Sequence, residues 1–583
     1  MNALKQLLSQ TIHRALTQYG AEKSLKEIES DLNIPPKIDM GHFAFPCFSL
    51  AKVMRKKPNI IAEELKELIE DTDVIQEVRN LGPYLNFFLS TKAMGSSVAQ
   101  AVLGGDMFQQ KLAQDAPKTM IEYSQPNTHK ELHVGHMRNI CLGDALIRLH
   151  QYCGFDIISS TFPGDMGTHV AKCLWYLKYH NAEPMPDAEK GAWLGKMYSR
   201  GSMKIYDIDQ SDDEVAKETY KAQLSVILTQ LESEEGEFYE LWKETRRWSI
   251  DQMQKVYDWA EVSFDKWYWE SEVDVPSVKL IQEYYDRGEV FIESKGVIGA
   301  DLEAYNLGFC VLIKSDGHGL YATKDIELAR RKFEDYQIEK NVYVVDERQA
   351  HHFKQVFKIL DLMGFENAQY CHHLAYNYVE LPEGPMSSRK GNIIPLMDLI
   401  RQMEHTTKAE LKNRYAGEWT EEEMDRTATI IAKGAIRYGM LKIDATKKIV
   451  FDMKEWLDLS GDSGPYLQYV YARIVTLCKK QGYDPVQAID WSALKEKEEI
   501  AILLHLSNFN AVALNACHSY KISSVCNYLY ELAKLYNSFY NEHSIAKAES
   551  DAIRFARLGL SKAVSDAMRE GLALLGIPVP ERM

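Results

Sequence analysis

Residues 118–160 read KTMIEYSQPNTHKELHVGHMRNICLGDALIRLHQYCGFDIISS, and this stretch decides the fold. Lys118 to Tyr123 is a short apolar run of the kind that forms a buried strand. Ser124-Gln125-Pro126-Asn127-Thr128 has turn chemistry, because proline and asparagine interrupt regular structure there. From about Val134 to Tyr152 the apolar residues recur at helical spacing, and Phe155 to Ser160 reads as a second strand. Strand, loop, helix, strand is a βαβ unit, the opening of a parallel sheet in an α/β domain.

Outward from that unit, residues 1–117 read as a separate small α+β module. Met1 to Leu16 interleaves leucines with Lys5, Gln6, Gln10, His13 and Arg14, an amphipathic helix rather than a signal peptide. Gly82 to Leu89 alternates, with Leu85, Phe87 and Leu89 on one strand face. Gly104 to Pro117 has weak periodicity and suits a linker. Beyond the βαβ unit, residues 176 to about 300 are mostly helical and acidic, an insertion between two halves of the α/β domain. Sheet signals return at Gly308 to Lys314 and at Val342 to Val345. From about Thr420 the pattern is helical nearly throughout, broken at Gly461 to Pro465 and at Gly482. The expected domains are therefore 1–117, 118–440 and 441–583.

Composition limits the function classes. The chain has 583 residues, of which 45% are hydrophobic and 26% charged, an ordinary globular balance. No apolar run reaches the roughly 18 residues of a membrane span, so no membrane partner is expected. Nine scattered cysteines include no C-x-x-C pair, which speaks against structural zinc and against a disulfide framework, and a reducing cytoplasm is the simplest location. A net charge of −16 speaks against indiscriminate nucleic-acid binding but leaves room for a local basic surface.

His133-Val134-Gly135-His136 is the strongest chemical signal. With 17 His and 33 Gly in the chain, H-x-G-H arises by chance only roughly 0.03 times. It stands after a strand at the beginning of a helix, where free backbone N–H groups and the positive dipole end favour phosphate. Gly135 lets a flat base approach the backbone, the two imidazoles can donate to phosphate oxygens, and Lys130 adds a full positive charge. The competing reading is a pair of surface or capping histidines. Met386-Ser387-Ser388-Arg389-Lys390-Gly391-Asn392 is a polar, basic stretch suited to folding over a triphosphate. Alone, such a basic stretch is more often a solvated surface loop.

Together these two motifs resemble the HIGH and KMSKS signatures of class I aminoacyl-tRNA synthetases, and the wider chain resembles the arginyl-tRNA synthetase family. The resemblance runs through Ser124 to Arg138, Gly164 to Thr168, Phe264 to Tyr268, Leu320 to Ile326, Tyr343 to Gln355, Ser463 to Tyr469 and Leu575 to Met583. Phe43 to Pro46 and Gly82 to Leu89 resemble that family's additional N-terminal RNA-binding domain. The fold implied is α/β: a Rossmann-like parallel-sheet catalytic domain, an N-terminal α+β tRNA-binding domain and a C-terminal α-helical anticodon-binding domain.

The resemblance also implies a reaction. L-arginine and ATP, the latter with Mg²⁺, give arginyl-adenylate and pyrophosphate, and the arginyl group then passes to the 3′ end of tRNA(Arg), with activation awaiting tRNA. The enzyme would act as a cytoplasmic monomer with no structural metal. The implied catalytic residues are Lys130, His133, His136, Ser387, Ser388, Arg389 and Lys390. ATP would lie along Pro126, Asn127, Thr128, His129, Lys130, Glu131, Leu132, His133, Val134, Gly135, His136 and Met386. A guanidinium, planar with five donors, demands carboxylates in a fork. Glu122 and Asp325 suit it, with Tyr321 four residues before Asp325, while Asn127 and Gln349 suit the ammonium and carboxylate end. Asp325 reads equally as an acid in a first helical turn, and Glu122 as a structural ion-pair partner. For tRNA, Tyr536 and Tyr540 share a helix face for anticodon stacking, with Met583 nearby, although aromatics at that spacing are more often core. Lys52, Arg55, Lys56 and Lys57 could meet the tRNA backbone or form a solvated helix end.

Departures from the pattern are specific. Pro385 and Ser388 stand where the full loop motif has lysines, as in many arginyl enzymes, and Lys130 is the candidate for part of the missing charge. Met166 replaces an expected tryptophan and Gln125 an expected serine. Rival readings are another class I synthetase, a small-molecule nucleotidylyltransferase and a non-catalytic tRNA-binding paralogue. The first would favour metal-binding cysteines. The second would need no terminal modules, and the third would need neither motif.

Overall fold

The structure, a computed structural model, describes residues 3–69, 73–385 and 394–583. They fold into two compact units: Met1–Gln114 with Tyr152–Gly154 and Leu457–Met583, and Asp115–Gln151 with Phe155–Trp456.

In the first unit the opening helix, Ala3–Tyr19, buries Leu4, Leu8, Ile12 and Leu16, one stripe at four-residue spacing. Strands β1 (Phe43–Pro46), β2 (Ile75–Leu81) and β3 (Tyr84–Leu89) form an antiparallel sheet in the order β1-β3-β2. The alternation expected for β3 is present: Leu85, Phe87 and Leu89 are fully buried, and Phe87 stands opposite Phe43. The rest is helical: Gly464–Lys480, Lys497–Leu506, Phe509–Ser519, Ser523–Glu542 and Asp551–Leu574. The break at Gly461 to Pro465 is a helix start, where the Ser463 hydroxyl accepts the N–H of Tyr466. Trp491 joins the early and late segments of this unit. A Cβ on Gly95 would lie 2.2 Å from the Trp491 ring, and one on Gly559 would lie 3.1 Å from its far edge.

The second unit is built on five parallel strands, β4 (Thr119–Glu122), β5 (Ile157–Thr161), β6 (Lys266–Trp267), β10 (Lys340–Asp346) and β11 (Cys371–Tyr376). Their order is β11-β10-β4-β5-β6. The helix Val134–Cys153 connects β4 to β5, as the sequence predicts. From β4 the chain winds one way through β5 to β6, and from β10 the other way to β11, so the topology switches direction between β4 and β10. Open α/β sheets bind their ligands outside the carboxyl ends of the strands at such a point.

Two expectations change here. The helices Thr168–Tyr179, Lys190–Gln210, Glu214–Glu232 and Glu237–Ala260 match the expected helical insertion, but β6 lies inside the 176–300 range and completes the parallel sheet. The Asp265 carboxylate holds it there, accepting from the N–H and hydroxyl of Ser159 on β5 at 2.8 Å each. The signal at Gly308 to Lys314 belongs to another sheet, the antiparallel trio of β7 (Phe291–Ser294), β8 (Val297–Asp301) and β9 (Phe309–Ile313). Val342 to Val345 lies in β10, as expected for the parallel sheet.

Candidate active site

A cleft of about 1130 Å³ opens at the carboxyl ends of β4 and β10. It is lined from β4 onward by Glu122, Asn127, His133, Gly135 and His136, from the helix Tyr321–Tyr336 by Tyr321 and Asp325, and after β10 by Gln349.

The imidazole pair is locked by its own backbone. His133 N–H donates to His136 Nδ1 at 3.0 Å, and Gly135 N–H donates to His133 Nδ1 at 3.1 Å. An Nδ1 that accepts cannot carry the proton of a neutral imidazole, so both rings present Nε2–H as donors. The ring centroids are 3.9 Å apart. Burial pushes the His133 pKa down to about 4, helped by the charges of Arg348 and Lys130. Burial, then His133 and Lys130, holds His136 well below the ordinary histidine value. Both rings are thus neutral donors at pH 7. Gly135 is required because a Cβ there would come within 2.9 Å of the His133 ring.

The segments flanking residues 386–393 are tied to this motif. His133 forms a bridge with Pro395, and Leu396 N–H donates to Leu132 C=O at 2.8 Å. On the other side Arg138, buried on the motif helix, donates to the carbonyls of Asn377 (2.6 Å), Tyr378 (3.4 Å), Asp444 (3.1 Å) and Ala445 (3.2 Å). Met386, Ser387, Ser388, Arg389 and Lys390 lie outside the described residues.

On the acidic side, Tyr321 is the first residue of its helix, so Tyr321 and Asp325 stand one turn apart on the same face. Asp325 is therefore in the second helical turn, and the first-turn reading does not apply. Its Oδ2 lies 2.5 Å from His352 Nε2. Glu122, the last residue of β4, is almost fully buried and ion-paired to Lys332, while its Oε1 accepts from Gln125 Nε2 at 3.1 Å. Asn127 packs where a side chain at Gly164 would be: a Cβ there would lie 2.4 Å from Asn127 Oδ1 and 3.0 Å from Glu270 Oε2. Gln349 is exposed on the short turn Glu347–Gln349.

The other proposed ATP contacts face elsewhere. Pro126, Thr128, Leu132 and Val134 are buried, and Glu131 and Lys130 do not line the cleft. His129 has a left-handed backbone (φ 63°), which turns its ring inward between the hydroxyls of Thr128 and Thr245, each at 2.9 Å. Lys130 Nζ stands 5.1 Å over the ring of Tyr198. In the first unit Tyr536 is fully buried, so it offers no ring face to a base, which corrects the stacking expectation. Tyr540 is half-buried with the Arg473 guanidinium 4.1 Å over its ring, and Met583 is half-buried. Lys56 is engaged by Glu64 at 2.7 Å.

The structure adds cleft residues that sequence reasoning passed over. Lys324 pairs with Glu270 at 2.7 Å and Asp274 at 2.9 Å. Arg348 grips Asp346 through two bonds of 2.7 and 2.8 Å. His352 was within reach of the sequence, since it falls in the Tyr343 to Gln355 stretch, but nothing local marks its partner.

Comparison with known proteins gives a consistent result. Residues 97–453 match the family described as tRNA synthetases class I (R), catalytic domain; 467–583 match the DALR anticodon binding domain; and 2–89 match the arginyl tRNA synthetase N terminal domain. An arginine–tRNA ligase of Bdellovibrio bacteriovorus is 51% identical over 577 residues, 99% of this chain and 98% of the relative. One of Clostridium perfringens is 34% identical, over 96% of this chain and 97% of the relative. Among solved structures, an arginyl-tRNA synthetase of Thermus thermophilus superposes with a TM-score of 0.78 at 27% identity, covering 99% of this chain and 100% of that one.

Proposed function

Since the chain belongs to the arginyl-tRNA synthetase family and is an arginine–tRNA ligase, we propose that the switch-point cleft is its active site, with ATP at the imidazole pair and arginine at Asp325. The observation that carries this reading is the meeting, in one cleft, of two neutral Nε2–H donors and an acidic niche. The carboxylate of arginine attacks the α-phosphate of ATP, and pyrophosphate leaves. The 3′-terminal ribose hydroxyl of tRNA(Arg) then attacks the arginyl carbonyl, and AMP leaves. Neither step needs a protein nucleophile, so the protein contributes positioning and charge stabilisation.

His133 and His136 donate to phosphate oxygens as charge grows on them, and Gly135 admits the nucleotide to the backbone. Asp325 and Tyr321 receive the guanidinium. Glu122, with Lys332 beside it, contributes its Oε1 edge. Asn127 and Gln349 hold the ammonium and carboxylate. Ser387, Ser388, Arg389 and Lys390, which lie outside the described residues, would supply further polar and positive groups to the phosphates. The cleft carboxylates are each engaged: Glu122 by Lys332, Glu270 by Lys324, Asp325 by His352 and Asp346 by Arg348. Mg²⁺ enters as part of the ATP substrate. Tyr540 and Met583 meet the anticodon arm. The enzyme works as a monomer and in the cytoplasm, a reducing compartment that suits its nine scattered cysteines.

The test is tRNA charging with arginine and ATP varied separately. Asp325→Asn is expected to raise the arginine KM by about 100-fold, because a charge-assisted bond is lost, and the ATP KM by less than about threefold. Equal effects on both would contradict the assignment.

A further inference from the structure

Asp325 is not a free carboxylate. His352 Nε2 lies 2.5 Å from its Oδ2, and both side chains line the cleft. The contact joins two elements, since Asp325 is on the helix Tyr321–Tyr336 that precedes β10 and His352 is in the first turn of the helix Ala350–Leu362 that follows it. The imidazole is itself held, edge-on to Phe353 at 5.4 Å between ring centroids, and Phe353 stacks on His373 of β11.

We propose that His352 is a positioning residue that aims Asp325 at the guanidinium of arginine and, by taking up a proton, makes arginine binding depend on pH. This rests on the reading of Asp325 as an arginine ligand. A neutral His352 donates Nε2–H to Oδ2, leaving Oδ1 and the full negative charge for the substrate. A protonated His352 cancels that charge and sets a second cation beside the guanidinium. Arginine therefore binds the neutral form, and each arginine bound by protonated enzyme releases one proton to solvent. The titratable groups facing His352 are Asp325 and, from β11, His373, while Arg348 lines the same cleft but is gripped by Asp346. Burial draws the His352 pKa down, and the Asp325 hydrogen bond and charge push it up by more, leaving it above the ordinary histidine value. The transition thus lies on the alkaline side of an ordinary histidine.

The experiment measures tRNA charging from pH 6 to 8.5 for the full-length protein and for His352→Gln, His352→Ala and Asp325→Asn. Arginine binding is followed in parallel by calorimetry, with tRNA present, in two buffers of different ionisation heat. In the unmodified protein the arginine KM is expected to rise about tenfold per pH unit on the acid side, as linkage to one proton requires, while the ATP KM stays within about twofold. His352→Gln keeps a donor but cannot titrate, so its arginine KM becomes flat with pH and its binding releases no proton. His352→Ala loses the donor, and its arginine KM is raised at every pH. A His352→Gln protein that keeps the original pH slope, or arginine binding that releases no proton from the unmodified protein, overturns the inference. If Asp325→Asn leaves the arginine KM unchanged, the site assignment itself fails. If it raises that KM while His352→Gln keeps the slope, only the role of His352 fails.

Discussion

His136 stands where a nucleotide phosphate would meet the motif helix, and its Nδ1 is already used by His133 N–H. Removing the ring takes away the Nε2–H donor and also orphans that backbone N–H. His136→Ala is expected to lower the charging rate by about 100- to 1000-fold, the cost of losing one donor to a developing charge. Single-turnover charging checks this, and a rate within tenfold of the unmodified protein would refute the phosphate role. At this scale, the sequence was legible where chemistry is local. H-x-G-H after a strand marked the imidazole pair, and the i, i+4 spacing joined Tyr321 to Asp325. It was illegible where a residue is turned or paired by distant chain. Nothing near His129 shows that its left-handed backbone buries the ring. Nothing near Glu122 shows the ion pair with Lys332, 210 residues later.

Between elements, Arg138 acts as a strut. It carries a buried positive charge and, through carbonyl oxygens, ties the motif helix to the segment that leads into residues 386–393 and to the Asp444–Ala445 turn. Burial draws its pKa down to about 10, still far above neutrality, so it remains charged. Arg138→Met fills the space but removes all four donated bonds; the carbonyls of Tyr378, Asp444 and Ala445 keep backbone donors in Ile449, Lys447 and Asn377, and that of Asn377 loses its guanidinium partner. The substitution is expected to cost about 2 kcal/mol of stability, the scale of buried polar groups left unsatisfied. Urea unfolding measures this, and an unchanged midpoint would remove the strut role. The parallel sheet followed from the βαβ reading, but β6 did not. A two-residue strand has no periodicity to read, and what places it beside β5 is pairing with distant chain, together with the Asp265 contact to Ser159. The strand at 309–313 was legible as a strand but not as a member of its own sheet, because pairing partners are chosen by tertiary packing.

For the whole molecule, the buried histidines set a pH limit. His42 and His133 are held at about 4, and His129 and His169 at about 3, in each case chiefly by burial. In the unfolded chain they titrate near 6.5. Folded-state values below the unfolded one mean that, as pH falls through 6.5 toward 4, the unfolded chain takes up protons that the folded one does not. Stability is then lost with acidification, by about 1.4 kcal/mol per group per pH unit. Calorimetric melting at pH 7.5, 6.0 and 5.0 should show a falling Tm, and a Tm that is flat or rises toward pH 5 would contradict these assignments. The early and late segments, read as separate modules from their patterning, lie in one compact unit, and local patterning cannot show that they share Trp491. That shared ring has a consequence during synthesis. The second unit can close while translation continues, but the first must wait for the helix carrying Gly559 to leave the ribosome. Until then, the pocket meant for Trp491 beside Gly95 is a nascent surface that chaperones would need to shield.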